Sequence, residues 1–241
     1  KKTANKISNG QFKAAINFFR SELLNYSSQF RKKNQFYCNL CKLESPYFLH
    51  TSNNQRILYN SICFNCSSRK RHRGLYEVYK YLLMGLNSPQ ILHFAPEPVF
   101  YNVFNSFEYI TADLELTDVD LQLDIENIDY VSDSFDLILC NHVLEHVLDD
   151  NKAIKEIYRI LKSFGIAIIT VPGNWDRERT IEYDYPDGNG HYRDYGLNFL
   201  SVLNKIFNRV EFSDLYIYNN IYKKPLGLTL KHDLVFLCYK N

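Results

Sequence analysis

From residue 90 onward, short apolar runs alternate with segments of helical periodicity. Two helical stretches, 150–162 and 195–206, separate some of the runs. Strands that alternate with helices are typical of βαβ units and a mostly parallel sheet. A turn-rich stretch precedes the last run, which predicts that the last two strands form a reversed edge pair. The seven predicted strands are 91–95, 109–112, 119–123, 135–140, 166–171, 210–215 and 234–238.

The first third of the chain has a different pattern. Residues 11–27 and 69–86 carry apolar side chains at spacings of three and four, which predicts two amphipathic helices. Residues 36–67 between them have no helical period. We therefore predict an N-terminal helical segment over 1–35, a small module over 36–68 and an α/β domain over 69–241. The apolar positions are Phe12, Ile16, Phe19, Leu23 and Leu24 in the first helix, and Leu75, Val78, Tyr79, Leu82 and Leu83 in the second.

Composition supports one α/β domain with a small accessory module. The 241 residues are 46% hydrophobic and 15% aromatic, which excludes global disorder. A formal net charge of +1 does not favour a polyanionic partner over a neutral one. No apolar run is long enough to span a membrane, and residues 1–10 lack the apolar centre of a signal peptide. We expect a cytoplasmic protein.

Four cysteines form two CxxC pairs, Cys38 with Cys41 and Cys63 with Cys66. Each pair can supply two ligands to a tetrahedral ion, and four thiolates complete its coordination shell. The pattern predicts a structural zinc site. Free thiols and a redox pair remain as alternatives, although no strand-then-helix pattern surrounds either pair. The other two cysteines lie in apolar strands, where we expect them in the core.

A run of cationic residues, 69–73, follows the second cysteine pair with the sequence Arg-Lys-Arg-His-Arg. Positive charge at a helix start is unfavourable for the helix dipole, so the run calls for an explanation. One interpretation is a solvated helix face. The other is contact with an anion: a substrate phosphate or acidic sugar, a cofactor carboxylate, or nucleic acid.

A series of motifs follows in a fixed order along the α/β domain. Residues 90–98 read QILHFAPEP, 109–115 read YITADLE, 133–147 read DSFDLILCNHVLEHV, and 158–165 read YRILKSFG. Over residues 88–172 this series resembles the class I S-adenosylmethionine-dependent methyltransferases. The cysteine pairs followed by Arg-His-Arg and then His-Phe-Ala-Pro-Glu resemble a bacterial subgroup with an N-terminal zinc ribbon. The resemblance implies a Rossmann-like fold with helices on both faces of the sheet, and S-adenosylmethionine as cofactor.

The resemblance also implies which residues contact the cofactor. Asp113, at the end of the second strand, would accept hydrogen bonds from the ribose hydroxyls. Asp124, after the third strand, would accept from the adenine amino group, and the Ile125 amide would serve a ring nitrogen. The turn at 93–98 has no Gly, which departs from the family, and small Ala95 with two prolines would shape it. The full expected set is His93, Phe94, Ala95, Glu97, Asp113, Leu114, Asp124, Ile125 and Asn141.

Catalysis requires alignment of the acceptor with the methyl group, and a hydroxyl acceptor benefits from a base. His191 lies in a polar loop, 173–194, that follows the fifth strand and is therefore expected near the ligand-binding edge of the sheet. His191 and His142 are the candidate bases, and Asp194 could orient His191 or cap the next helix. We expect His146 to be a packing or capping group at a helix start, and Asp136 to be structural.

The expected activity is methyl transfer to a small molecule or glycan, on a hydroxyl oxygen of a cell-surface polysaccharide or its precursor. One alternative is an RNA methyltransferase in which the zinc module and residues 69–73 hold the RNA. Another is a non-catalytic, zinc-stabilised interaction module. NAD is less favoured as cofactor because the Gly-x-Gly-x-x-Gly turn is missing.

Overall fold

A computed structural model describes residues 2–31, 33, 35–52, 56–229 and 233–241, with side chains of the first helix from residue 12 onward. Lys1, the first residue of the predicted N-terminal segment, lies outside the described residues. The chain divides into two compact units, Lys1–Val78 with Ile217–Thr229, and Tyr79–Tyr216 with Leu230–Asn241. None of the described helices is long and apolar enough to cross a membrane.

The first unit begins with a long helix and continues as two antiparallel strand pairs. Its elements are α1 (Lys2–Ser28), β1 (Phe36–Cys38), β2 (Leu43–Ser45), β3 (Leu49–Ser52), β4 (Ile57–Ile62) and the start of α2 (Lys70–Met84). β1 pairs with β2, and β3 pairs with β4. The side chain of Asn25 on α1 donates to and accepts from the backbone of His50, at 3.0 and 2.6 Å. These bonds attach the helix to β3.

Arg73, the last residue of the cationic run, is fully buried in this unit. Its guanidinium donates to the carbonyls of Leu226 and Ser68, both at 2.7 Å, and stacks 4.1 Å from the centre of the Phe48 ring. Burial lowers the pKa of Arg73 to about 10. Both sequence-based interpretations are therefore wrong for Arg73, which neither faces solvent nor reaches an external anion. His72 is also buried.

The second unit is built around a single large sheet. Its strands are β5 (Gln90–Phe94), β6 (Glu108–Asp113), β7 (Leu121–Gln122), β8 (Phe135–Asn141), β9 (Leu161–Thr170), β10 (Ile181–Glu182), β11 (Arg193–Asp194), β12 (Arg209–Asp214) and β13 (Leu234–Tyr239). Its helices are α3 (Tyr101–Phe104), α4 (Asp150–Ile160) and α5 (Phe199–Asn204), with 3₁₀ turns at Pro98–Phe100 and Leu215–Tyr218.

The strand order β12-β13-β9-β8-β5-β6-β7 confirms the mixed seven-stranded sheet. β5, β6, β7, β8 and β9 run parallel, while β13 is antiparallel to both β9 and β12. The predicted reversed pair is thus present. The order reverses beside β5, whose neighbours are β6 and β8. Open α/β sheets bind ligands at such a switch point, outside the carboxyl ends of the strands.

Three predictions differ from the structure. The third strand of the series is only Leu121–Gln122, and the predicted helix 195–206 is shortened to α5. His146 does not stand at a helix start, because the helix predicted over 150–162 begins at Asp150. Asp149 takes an extended conformation and its carboxylate accepts from the Lys152 amide at 3.0 Å, which is the geometry of a helix N-cap. His146 therefore lies in the turn before the helix.

Candidate active site

A cavity of about 410 Å³ lies at the carboxyl ends of β5, β6 and β8. Its volume is within the usual range for small-molecule sites. Six of the nine residues expected from the sequence to contact the cofactor line it. The lining residues are Phe94, Ala95, Asp113, Leu114, Glu115, Leu123, Asp124, Ile125, Glu126, His142, Val143, His146 and Val147.

Asp113 and Asp124 each use one carboxylate oxygen to hold a turn. Oδ1 of Asp113 accepts from the amides of Glu115 and Leu116 at 2.8 and 2.9 Å. Oδ1 of Asp124 accepts from the Glu126 amide at 2.8 Å. In neither residue does Oδ2 take part in a hydrogen bond with the described part of the chain. These turns orient both carboxylates while leaving one acceptor oxygen on each for a ligand.

The turn after β5 has the backbone conformation that the missing Gly would have provided. Ala95 has a φ of 48°, in the left-handed region, and its amide donates to the Ala112 carbonyl at 2.8 Å. A left-handed conformation costs a non-Gly residue roughly 1–2 kcal/mol. The small methyl side chain of Ala95 keeps the turn narrow. This chain therefore has Ala95 where the family usually has Gly, and the turn is still tight.

Three of the expected cofactor contacts do not line the cavity. His93 is fully buried beneath the turn, where Nδ1 lies 2.8 Å from the Tyr109 hydroxyl. Asn141 is buried at the end of β8, where its amide donates to the Tyr79 hydroxyl at 2.7 Å and accepts from Thr170 at 3.2 Å. Glu97 precedes the 3₁₀ turn at Pro98–Phe100. The contacts of His93 and Asn141 support the frame of the site.

His142 and Glu145 form a close pair at one end of the cavity. Nδ1 of His142 lies 3.4 Å from Oε1 of Glu145, whose side chain is 1% exposed. Nε2 of His142 and Oε2 of Glu145 are buried without a hydrogen-bond partner among the described residues. His142 has a φ of 54°, so both it and Ala95 are strained at the cavity wall. Backbone strain of this kind concentrates at functional sites.

The loop 173–194 returns to the cavity at His191. The rings of His191 and His146 lie 4.8 Å apart in a T-shaped arrangement. The Tyr192 amide donates to the Glu145 carbonyl at 2.7 Å, which ties the two segments together. The prediction that this loop lies over the ligand-binding edge of the sheet agrees with these contacts. His191 itself reaches the site through His146 and does not line the cavity.

Arg193 fixes this loop in place. Nη1 donates to the carbonyls of Leu144 and Val147 at 2.7 and 2.8 Å, and Nη2 donates to that of Leu148 at 2.8 Å. Nε donates to the Glu182 carboxylate at 3.1 Å. The Arg193 side chain is only 4% exposed. One buried cation thus serves three carbonyls of a segment that forms no helix.

Asp194 does not orient His191, and it does not cap α5. Its carboxylate pairs with the Arg177 guanidinium at 3.0 Å, and Asn198 occupies the N-cap position of α5. The acid beside His191 is Asp187, whose Oδ2 lies 4.0 Å from Nδ1 of His191. Asp136 is structural, as expected, because it accepts from the Gln90 amide and from Lys162, both at 2.9 Å.

The four paired cysteines of the first unit converge on one point. Their sulfur atoms all lie within 4.8 Å of one another, with Cys38 to Cys66 at 3.6 Å and Cys41 to Cys63 at 3.7 Å. Four sulfurs at about 2.3 Å from a tetrahedral zinc ion would be roughly 3.8 Å apart. The residue after each pair, Lys42 or Ser67, has a positive φ, 62° and 59°. The two CxxC turns therefore share one backbone shape.

Sequence comparison identifies part of the second unit. Residues 100–169 match the family described as a methyltransferase domain. No curated protein matches the chain in sequence. The matched segment includes β6, β7, β8 and α4, and therefore most of the wall of the cavity.

Solved structures share the fold at low sequence identity. One is the Burkholderia thailandensis 1,6-didemethyltoxoflavin-N1-methyltransferase, solved with that compound and S-adenosylhomocysteine. It is 18% identical, with a TM-score of 0.51 over 70% of this chain and 78% of that one. A second is a SAM-dependent methyltransferase from Archaeoglobus fulgidus, 13% identical, with a TM-score of 0.50 over 72% and 95%. At these identities the likeness establishes the fold alone.

The cavity is lined by acidic residues at the switch point of a methyltransferase-like sheet, within a segment that matches a methyltransferase domain. The protein is therefore an S-adenosylmethionine-dependent methyltransferase. S-adenosylmethionine is accordingly its methyl donor.

Glu145 is the site residue that the sequence did not single out. It lies between two histidines in the motif His-Val-Leu-Glu-His, and this spacing is the sequence feature that could have indicated a cluster. The expected helix start suggested a capping role for this region instead. Glu115 and Glu126 also line the cavity. Each follows an expected cofactor aspartate by two residues, so the turn that brings one acid into the wall brings the other.

Replacement of Arg193 with Ala should lower the free energy of unfolding by about 3–5 kcal/mol, because it leaves buried carbonyls and a carboxylate without their cation. Arg179→Ala is the matched control, since Arg179 is exposed in the same loop. Urea denaturation of both variants would measure the difference. Equal, small losses in the two variants would show that the Arg193 contacts do not stabilise the protein.

Proposed function

We propose that this methyltransferase acts on a hydroxyl oxygen of a small molecule or a glycan, such as a cell-surface polysaccharide or its precursor. The observation that carries the proposal is the His142–Glu145 pair at the cavity wall. An oxygen acceptor must lose a proton, and an imidazole with a carboxylate partner is suited to accept it near neutral pH.

Asp113 and Asp124 are the proposed anchors of the nucleoside. Oδ2 of Asp113 would accept from the ribose hydroxyls, and Oδ2 of Asp124 would accept from the adenine amino group. The Ile125 amide would donate to a ring nitrogen. Both side chains are already oriented by their turns, so binding would cost little further side-chain entropy. Phe94, Ala95 and Leu114 would provide the apolar wall.

The charge of the cavity fits this cofactor. Asp113, Glu115, Asp124 and Glu126 line it, and none of its lining residues is Lys or Arg. Carboxylates attract the sulfonium and ammonium groups of S-adenosylmethionine, and they would repel the pyrophosphate of NAD. The cofactor supplies a methyl group on a positively charged sulfur, which transfer converts to S-adenosylhomocysteine.

His142 is the preferred base of the two sequence candidates. It lines the cavity, whereas His191 does not. Its Nδ1 faces Glu145 at 3.4 Å, and a proton held there would leave the lone pair of Nε2 unengaged. Nε2 is buried without a partner among the described residues, so it would take the proton only once a bound acceptor makes contact with it. Glu145 would act as a positioning residue that fixes this tautomer and stabilises the cation formed on proton uptake.

The structural comparisons favour a small acceptor over RNA. The Burkholderia thailandensis enzyme is named as a 1,6-didemethyltoxoflavin-N1-methyltransferase and was solved with that compound bound. The RNA alternative depended on residues 69–73, and burial of His72 and Arg73 removes two of the five groups that would contact phosphates. A short remaining patch supplies little of the electrostatic binding that RNA requires.

The cysteine cluster is the proposed structural zinc site, in a module over residues 36–68 like that of the zinc-ribbon subgroup. The two measured sulfur separations agree with a tetrahedral Zn–S₄ centre. Arg73 lies buried nearby, and the cysteine thiolates raise its pKa against the larger effect of burial. The guanidinium would offset the negative charge of four thiolates on one divalent ion.

Asp113→Asn should weaken the binding of S-adenosylhomocysteine by about tenfold to a hundredfold, the cost of one hydrogen bond to a charged group. The asparagine can keep Oδ1 as the acceptor of the turn while replacing the free Oδ2 by a donor. Asp118→Asn, on the exposed part of the same loop, is the control. Isothermal titration calorimetry measures both. Unchanged affinity in Asp113→Asn would reject the ribose role.

Release of S-adenosylhomocysteine should occur with hydroxyl acceptors in a panel of nucleotide sugars, glycan fragments, heterocyclic amines and RNA. With the best acceptor, His142→Gln should lower kcat by about a hundredfold or more, because general-base catalysis contributes about 10²–10⁴. Its affinity for S-adenosylhomocysteine should be unchanged. Turnover with RNA or amines alone would reject the proposed acceptor class, and full activity of His142→Gln would reject the base.

The purified protein should contain a single zinc ion per chain, measured by plasma mass spectrometry. Cys63→Ala should lose the metal and melt at a lower temperature, since zinc binds the folded site far better than the unfolded chain. Cys238→Ala removes a buried thiol of the other unit and should keep the zinc. Equal metal content in the two variants would contradict a zinc site at these cysteines.

A further inference from the structure

Glu145, His146 and His191 form a second cluster of potential metal ligands, in the second unit. One ligand atom from each lies within 4.8 Å of the other two. We propose that this cluster binds a divalent first-row metal ion that holds the acceptor hydroxyl at the end of the cavity. The role of the ion in catalysis rests on the proposed function, but binding of the ion can be tested without it.

The distances suit a common ion. Two ligands at about 2.1 Å from one metal are roughly 3–4 Å apart. Nε2 of His146 and Oε1 of Glu145 are 3.9 Å apart. The His191 ring, 4.8 Å from that of His146, brings the third ligand from a different part of the chain. Two imidazoles and one carboxylate are a ligand set for ions such as Mn²⁺, Fe²⁺ and Zn²⁺.

The hydrogen bond of His146 to the Gly190 carbonyl orients its other nitrogen as a metal ligand. Nδ1 lies 3.1 Å from the Gly190 carbonyl, so it carries the proton and donates, and Nε2 keeps its lone pair towards Glu145. Metal-bound histidines almost always donate their second nitrogen to a carbonyl or a carboxylate in this way. Gly190 has a φ of 83°, and an added Cβ there would lie 3.4 Å from Nδ1. Asp187 is placed to give His191 a similar partner.

The burial of Glu145 is the second, independent sign of a cation. Its side chain is 1% exposed, yet Oε2 is buried without a hydrogen-bond partner in the described structure. An ionised carboxylate removed from water is costly unless a cation or donors compensate it. His142 approaches only Oε1, at 3.4 Å. A bound divalent ion would supply the missing compensation.

Three protein ligands leave coordination positions open, unlike the four cysteines. His146 is 45% exposed and lines the cavity, so an open position there is accessible to an acceptor. A metal ion can orient an acceptor oxygen and favour loss of its proton. The proton would pass to His142 as the oxygen–methyl bond forms and the sulfur–methyl bond breaks. A second oxygen beside the hydroxyl would strengthen binding, which favours acceptors with vicinal oxygens, such as sugar diols.

The test is a titration of the zinc-loaded protein with Mn²⁺, followed by electron paramagnetic resonance of the free ion. Mn²⁺ prefers oxygen and nitrogen ligands over thiolates, so it separates this cluster from the cysteines. We expect saturable binding at a single site. Glu145→Gln and His191→Gln should each weaken it by at least about a hundredfold, beyond the effect of outer-shell changes.

Asp184→Asn is the control, since Asp184 is an exposed acid of the same loop. It should bind Mn²⁺ as the wild type does, and melting curves should show that the folded population of every variant is intact. If His191→Gln binds Mn²⁺ like the control, or the wild type binds none, the metal site is rejected. Calorimetry with S-adenosylhomocysteine tests the cofactor site separately, so either proposal can fail alone.

Discussion

The guanidinium of Arg193 holds together the part of the second unit where chemistry takes place. The segment from His142 to Asp149 follows β8 without forming a helix, so its carbonyls lack the partners that a helix would give them. Arg193 satisfies three of them from a loop that is distant in sequence. The same contacts place His191 beside His146. The planar guanidinium, with five donors in a fixed arrangement, reaches these three carbonyls and the Glu182 carboxylate at the same time.

The strained residues at the cavity depend on the packing around them. Ala95 and His142 both have left-handed backbones, and both follow strands of the central sheet. Their amides are held by carbonyls of neighbouring strands, Ala112 and Thr170, at 2.8 Å. These ladder bonds hold the two residues in conformations that cost energy. As a result, the backbone turns sharply at the end of each of these two strands, and the turns leave the space that forms the cavity.

The sheet was predictable because its signal is local. Each apolar run of the second unit forms a strand, and the parallel order follows from the alternation with helices. Asp113 and Asp124 were also predictable, since a strand end places them in the wall. His93 and Asn141 were not, because the same strand ends bury them under Tyr109 and Tyr79. Which side a side chain takes at a strand end depends on three-dimensional neighbours.

The partners of the histidines and acids in the loop 173–194 were harder to predict, because they also depend on three-dimensional neighbours. Sequence proximity suggested that Asp194 would orient His191, but Asp194 pairs with Arg177 and the closer acid is Asp187. Likewise, Arg73 belongs to a charged run that resembles a surface patch, and it is buried against Phe48. In both cases an arginine determines which groups pair, because its planar guanidinium binds carbonyls or carboxylates from several segments at once. Charge pattern along a chain does not reveal such contacts, since they join residues far apart in sequence.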